Sequence, residues 1–454
     1  MIKNLTRGNP AKVILLFSFP IILGNIFQQI YSVVDTIIVG KFVNYQALAG
    51  VGITNGMTFL VFGFVIGITS GCGIRIAQFF GAGDYAKMRR SIATCYLICI
   101  ALIMFLTLVA LACIEPMLRV INTPENIYGY AHDYIFYTFL GLFSQVGYNL
   151  ISSILRALGD SKTPLYFLIF ASGLNVFLDL LFVKDFGWGV PGAAWATILS
   201  QFISATLCFV YVHHRYPELR LAKTDFKTSW SFIWEHLRIG LPMALQFSIT
   251  AAGIIIFFAA LNSFPTTYIA GFTSASKIQN LGMLIPISFG VAIATYVGQN
   301  YGAGNILRMR RGVLYTIIMT LIVCLAVSLL MILFARPLTS LFLDGKATGN
   351  TEEIFYASCH YLYISATFFP FLFLIFVFRN ALQGVGKTFW PLMAGVLELV
   401  IRTIASFTLP SIFGYNGIVM VDVLAWIGAS ILLLIAYILQ MPKFERDLYT
   451  RNLV

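Results

Sequence analysis

Apolar residues run along this chain in long stretches with few charges, such as Leu97 to Cys113, Leu314 to Ala335 and Ile418 to Gln440, separated by short polar segments. A helix needs about 20 such residues to cross roughly 30 Å of hydrocarbon. Twelve spans are predicted, at about 13–39, 47–79, 91–113, 130–153, 164–184, 190–213, 236–261, 267–299, 313–335, 354–380, 390–411 and 417–440. Alternating ten-residue segments, which a barrel would need, do not occur. The first stretch does not read as a cleavable signal peptide, because its apolar part is too long and Asn25, Gln28, Gln29 and Asp35 interrupt it.

The second six spans repeat the first. Gln78-Phe79-Phe80-Gly81-Ala82-Gly83-Asp84 with Met88-Arg89-Arg90 returns as Gln299-Asn300-Tyr301-Gly302-Ala303-Gly304-Asn305 with Met309-Arg310-Arg311, at an offset of 221 residues. Pro116 pairs with Pro337 in that register, Pro20 with Pro242 after a slip of one residue, and Gly159, Lys162-Thr163 with Gly384, Lys387-Thr388 at an offset of 225. The expected fold is therefore an all-α integral membrane protein, with twelve helices in two six-helix lobes related by a pseudo-two-fold axis along the membrane normal. The lobes are placed at residues 1–214 and 232–454, joined by a polar cytoplasmic linker at 215–231.

Composition agrees: 59% of the 454 residues are hydrophobic and 10% charged, with a mean hydropathy of +0.87; soluble globules are nearer a quarter charged. With the N-terminus inside, 20 Lys and Arg fall on the inner side against five outside, so both termini are expected in the cytoplasm. The net charge of +11 is then topology and not a nucleic-acid surface. Seven cysteines lie in or at the ends of spans without zinc-like spacing and read as small apolar residues. The Gly-Ala-Gly runs lack a following Lys-Ser/Thr and read as tight turns that cap one helix and start the next, not as phosphate loops. Neither His-Glu-x-x-His nor Gly-x-Ser-x-Gly occurs, so no enzymatic activity, metal or cofactor is expected.

Ionisable groups inside spans carry the candidate chemistry, since each costs about 2.5–3.5 kcal/mol at mid-membrane on insertion scales. Asn25, Gln28, Ser32 and Asp35 share one face of the first span, and Gln28, Tyr31 and Gln246 are candidates for the substrate cavity or a polar network. Asn175 and Asp179 stand four residues apart on the fifth, and Thr197 of the sixth can reach the same cavity. Hydration near the membrane surface is the alternative for both acids. In the second half Glu398 and Arg402 are spaced for a helical ion pair, and Asp422, Lys277 and Arg379 are further charges at membrane depth, the last two with stems long enough to snorkel. Pro20 removes one backbone bond from the first span, so that helix can bend there.

Pro20 with Tyr31-Ser32-Val33-Val34-Asp35-Thr36, Ala77-Gln78-x-x-Gly81-Ala82-Gly83, Asn175-x-x-x-Asp179 and Gly192-Ala193-Ala194-x-Ala196-Thr197 together resemble the multidrug and toxic compound extrusion (MATE) transporters, in their DinF-like and MepA-like bacterial branch. The resemblance covers essentially the whole chain. It implies an antiporter that exports amphipathic, often cationic, organic compounds by alternating access, coupled to protons or to sodium. It puts Asp35, Asn175, Asp179 and Thr197 on the first-lobe cation site and Pro20 on the bend of the first helix. Where the NorM-like pattern has an acid in the seventh span, this chain has Gln246, Ser248 and Thr250. The expected partners are small organic molecules and the lipid bilayer, with no nucleic acid, and the working unit is expected to be a monomer. The alternative is a flippase for a lipid-linked sugar precursor, in which Arg75, Lys277, Arg379 and Arg402 would gather around a pyrophosphate.

Overall fold

The computed structural model describes residues 4–342 and 351–451; Lys3 and Lys346, counted above for orientation, lie outside them. The described residues form sixteen α-helices and no strand: α1 Pro10–Phe42, α2 Tyr45–Ile53, α3 Asn55–Gly81, α4 Tyr85–Ala112, α5 Ile114–Val120, α6 Glu125–Leu140, α7 Leu142–Ala157, α8 Lys162–Asp179, α9 Gly189–Arg215, α10 Trp230–Leu261, α11 Thr266–Gly302, α12 Ile306–Leu333, α13 Ala335–Ser340, α14 Thr351–Gly384, α15 Phe389–Phe413 and α16 Tyr415–Arg451. Eleven are long and apolar enough to span a bilayer, and α6 with α7 makes a twelfth span bent by 48°.

That bend, inside the expected span at 130–153, has a tertiary cause. Ile198 of α9 fills the space beside Gly141, where a Cβ would lie 2.2 Å from the isoleucine Cγ1. The expected span at 47–79 is likewise two helices, parted at Thr54, whose hydroxyl donates to the Val51 carbonyl at 2.7 Å. Lipid-facing surface is written on the helices as stripes. Leu97, Ile100, Met104 and Leu108 are exposed along α4, and Leu314, Ile318, Ile322, Leu325 and Leu329 along α12, at three- and four-residue steps in both.

The Gly-Ala-Gly runs are helix caps. Gly83 and Gly304 both stand at φ +74. In each, the glycine N–H returns to the carbonyl three residues back and the next N–H to that five back, at 2.8–3.1 Å; this satisfies the last carbonyls of α3 and α11. Gly159 makes the same cap after α7, and its partner in the second half is Gly386, at φ +86. The pairing of Gly159 with Gly384 is therefore corrected by two residues. Gly384 is instead a packing glycine, where a Cβ would lie 2.6 Å from the Ala294 carbonyl oxygen.

Two compact units emerge, one of Leu16–Phe247 with the residues before Arg7 and one of Arg7–Leu15 with Ser248 onward. The division differs from the expected linker at 215–231: it cuts through α1 and α10, because the first half of α10 packs with α3. A Cβ at Gly67 would lie 2.3 Å from the Ala244 backbone, and one at Gly71 2.4 Å from Gly240 Cα. The first core gathers Phe139, Val146 and Ile154, the second Tyr361, Phe369, Phe373 and Trp426.

Asp160 organises the α7–α8 turn. Its Oδ1 accepts from the N–H of Lys162 and Thr163 at 3.1 and 3.0 Å, and its Oδ2 from the Thr163 and Tyr216 hydroxyls at 2.7 and 2.8 Å. Burial alone would raise its pKa, but these donors outweigh burial and hold the carboxyl below its ordinary range. A depressed folded-state pKa contributes stability that is full above the ordinary carboxylate pKa of about 4 and is lost as the pH falls through the folded value. Asp160→Asn should lower stability by about 1–3 kcal/mol at neutral pH. The gap from wild type should close below about pH 4, and thermal unfolding in detergent across pH measures it.

Candidate ion-coupling site

Four helices of the first unit bring polar groups together among apolar neighbours. α1 supplies Asp35, Tyr31 and Gln28; α6 supplies Tyr134; α8 supplies Asn175 and Asp179; α9 supplies Thr197 and Gln201. α1 lies against α8 at Gly24, where an added Cβ would lie 3.4 Å from Leu168 Cδ2. α9 approaches the end of α8 through the small buried residues Gly192, Ala193 and Ala194, and a Cβ at Gly192 would lie 3.2 Å from the Phe182 backbone. Asp179 is the last residue of α8. Directly after it the helix widens into a π-helical segment, Leu180–Asp185, a distortion that recurs at functional sites.

Asp179 is fully buried, Asn175 nearly so, and Asp35 half-buried. The hydration alternative therefore does not hold for Asp179. The Asp35 and Asp179 carboxyls are neighbours. Asn175 donates from Nδ2 to Thr197 Oγ1 at 3.3 Å. Asp35 Oδ1, both oxygens of Asp179 and Asn175 Oδ1 are buried and accept no hydrogen bond from the protein. Such a concentration of acceptors in a low-dielectric site is costly by itself and is relieved by a cation, whether a proton on a carboxyl or a small metal ion between oxygens. Tyr31 lies beside Gln28 and Gln201, and Tyr134 beside Asp35, Asp179 and Thr138. Tyr134 and Gln201 escaped the sequence reading. Gln201 carries a usable signal, its four-residue step from Thr197; Tyr134 is one of 22 tyrosines and carries none.

Pro20 is buried within α1, which runs unbroken past it. Gln246 is buried in α10.

The charges of the second unit form a separate chain. Arg379 of α14 donates from Nη2 to Glu398 Oε1 at 2.5 Å, Glu398 Oε2 lies 3.9 Å from Arg402 on the same helix α15, and Arg402 Nε donates to Asp422 Oδ1 of α16 at 2.8 Å. The expected Glu398–Arg402 pair is thus the loosest link, and the short bonds run between helices. Tyr361 lies next to Arg402 and Asp422 and donates to Gln279 Oε1 at 2.5 Å. Lys277 stands outside this chain, exposed over the Phe342 ring at 5.6 Å. Arg75 is in the first unit and pairs with Glu235. Of the four basic residues that a pyrophosphate clamp would need, Arg75, Arg379 and Arg402 are therefore engaged by carboxylates, and Lys277 lies over a phenyl ring.

The profile of the MatE family matches residues 20–181 and 242–408. The chain is 28% identical to "Probable multidrug resistance protein YpnP" of Bacillus subtilis over 94% of its length and 91% of that protein's. It is 23% identical to the "FAD transporter" of Shewanella oneidensis, covering 90% of each chain. Among solved structures it superposes on a MOP superfamily transporter from Pyrococcus furiosus with a TM-score of 0.91 at 23% identity, over 97% of this chain and 98% of the other. An outward-facing multidrug resistance MATE family transporter gives 0.90 at 24%, with the same coverage.

Proposed function

The chain belongs to the MatE family of multidrug transporters, and from that premise we propose that it exports amphipathic organic compounds, often cations, in exchange for an entering cation. The coupling ion in this reading is a proton, with sodium as its competitor. One observation carries it: Asp35 and Asp179 lie side by side in the first unit with three buried carboxylate oxygens that no protein donor serves. A site of this kind changes its charge when a proton arrives. α1, which carries Asp35, also carries Pro20, where one backbone bond is missing, so protonation and helix bending act on one element. Alternating access follows if protonation favours release of substrate outward and deprotonation inward resets the site.

The driving force suffices. At about 2.3 kcal/mol per charge per 100 mV, one proton supports roughly a fifty-fold substrate gradient before any pH difference is added. The protein works in this reading as a monomer in a bacterial plasma membrane, with both termini cytoplasmic.

Reconstituted protein should export a fluorescent organic cation when a pH gradient is imposed in sodium-free buffer, and should not when a sodium gradient replaces it. Export under sodium alone would transfer the coupling to that ion.

A further inference from the structure

α1 and α10 are each divided between the two compact units. The start of α1, up to Leu15, belongs with the second unit, and the start of α10, up to Phe247, with the first. Each helix has a proline near its crossing, Pro20 and Pro242. The two attachments differ in kind. At the start of α1, Arg308 of α12 donates to the main-chain oxygens of Gly8 and Arg7 at 2.6 and 2.9 Å, a contact that ignores side-chain identity. At the start of α10 the attachment is made by side chains.

Glu235 pairs with Arg75 of α3, which also donates to Gln78 Oε1 at 2.9 Å and lies 5.0 Å over the Phe79 ring. Phe232 is held between Phe79, stacked at 6.1 Å, and the Arg90 guanidinium at 4.8 Å. His236 is buried. Its Nδ1 lies 2.8 Å from the Phe232 carbonyl, which only accepts, so Nδ1 carries the proton and Nε2 faces the Ser91 hydroxyl at 2.6 Å. Thr94 Oγ1 donates to Thr228 Oγ1 at 3.1 Å, and Arg89 lies 3.9 Å from Asp225. Farther along, Gly67 and Gly71 meet Ala244 and Gly240 backbone to backbone, Phe247 packs against Gly63, and Ile239 and Met243 are buried with Ile74 of α3. Arg75 Nε and Arg90 Nε are buried without a hydrogen-bond partner. The polar joint is therefore incompletely satisfied, as a joint that opens would be and a permanent core contact seldom is.

We propose that the first half of α10, with the segment that leads into it, is a releasable latch, whose Arg75–Glu235, His236–Ser91 and Thr94–Thr228 contacts open and reclose in every transport cycle. The inference rests on the alternating-access reading above. The first half of α10 can change course only by bending near Pro242 or by leaving α3 and α4, to which the polar joint and the apolar contacts of Ile239, Met243 and Phe247 hold it. Arg75, Glu235 and His236 are positioning residues here; none is assigned contact with substrate.

The paired hydroxyls of Thr94 and Thr228 give a direct test, since sulfurs placed there come within reach of a disulfide of about 2.05 Å. In a variant with the seven native cysteines replaced, T94C/T228C oxidised in proteoliposomes should stop export, and reductant should restore it. Separately, R75E and E235R should each slow export by about tenfold and the double reversal should recover most of the loss, the signature of a coupled pair. Oxidised protein that exports at the reduced rate, or single reversals that export like wild type, overturn the latch. Absence of export by the unaltered protein overturns the transport reading instead.

Discussion

Asp35→Asn should cut export driven by a pH gradient at least tenfold, a loss of about 1.4 kcal/mol or more of coupling, while the variant folds and melts at or above the wild-type temperature. The substitution keeps shape and removes the titrating group. It also takes one of two neighbouring carboxylates out of a site where Asp35 Oδ1 and both Asp179 oxygens have no donor, so the charge cost of the folded state falls. Function is lost and stability is not. Export rates in proteoliposomes and unfolding in detergent check the two halves, and Asp179→Asn should behave alike. A variant that exports as wild type does would remove Asp35 from the coupling site.

Glu398→Gln should do the reverse and cost about 3–5 kcal/mol of stability, as breaking a buried ion pair does. Among the described residues Glu398 is the only acid within bridging distance of Arg379, and it reaches Arg402 with its second oxygen. Arg379 Nε already lacks a partner. With a neutral amide there, the chain Arg379–Glu398–Arg402–Asp422 carries one buried positive charge too many. Replacing Arg379 and Glu398 together by methionine should recover most of the loss, because the charge and its counter-charge leave together. Folded yield and melting temperature of the three variants decide it; wild-type stability for Glu398→Gln would mean that the chain of charges is not structural.

The opposite signs of these two effects separate clusters that look alike along the sequence. Asp35, Asn175, Asp179 and Thr197 stood out because charge and amide are rare inside apolar runs, and the structure brings them together. Arg402 was assigned to Glu398 because spacing sees only one helix; its short bond goes to Asp422, 20 residues on and on another helix. The breaks at Thr54 and Gly141 were invisible because the apolar run continues through both, and the cause at Gly141 is Ile198, 57 residues away. The glycine pairing failed for a related reason: local similarity picked Gly384, whereas the backbone uses the glycine that can hold φ +86. The clamp on α10 was equally hidden. Glu235 reads as an ordinary charge at the start of a helix until α3 places Arg75 beside it.

The most direct test of proton exchange runs the coupling backwards. In sodium-free proteoliposomes carrying a trapped pH indicator and held at zero membrane potential, an imposed gradient of a transported organic cation should drive protons the opposite way, and Asp35→Asn should abolish the pH change. Substrate flux at the wild-type rate with no movement of protons would contradict the account.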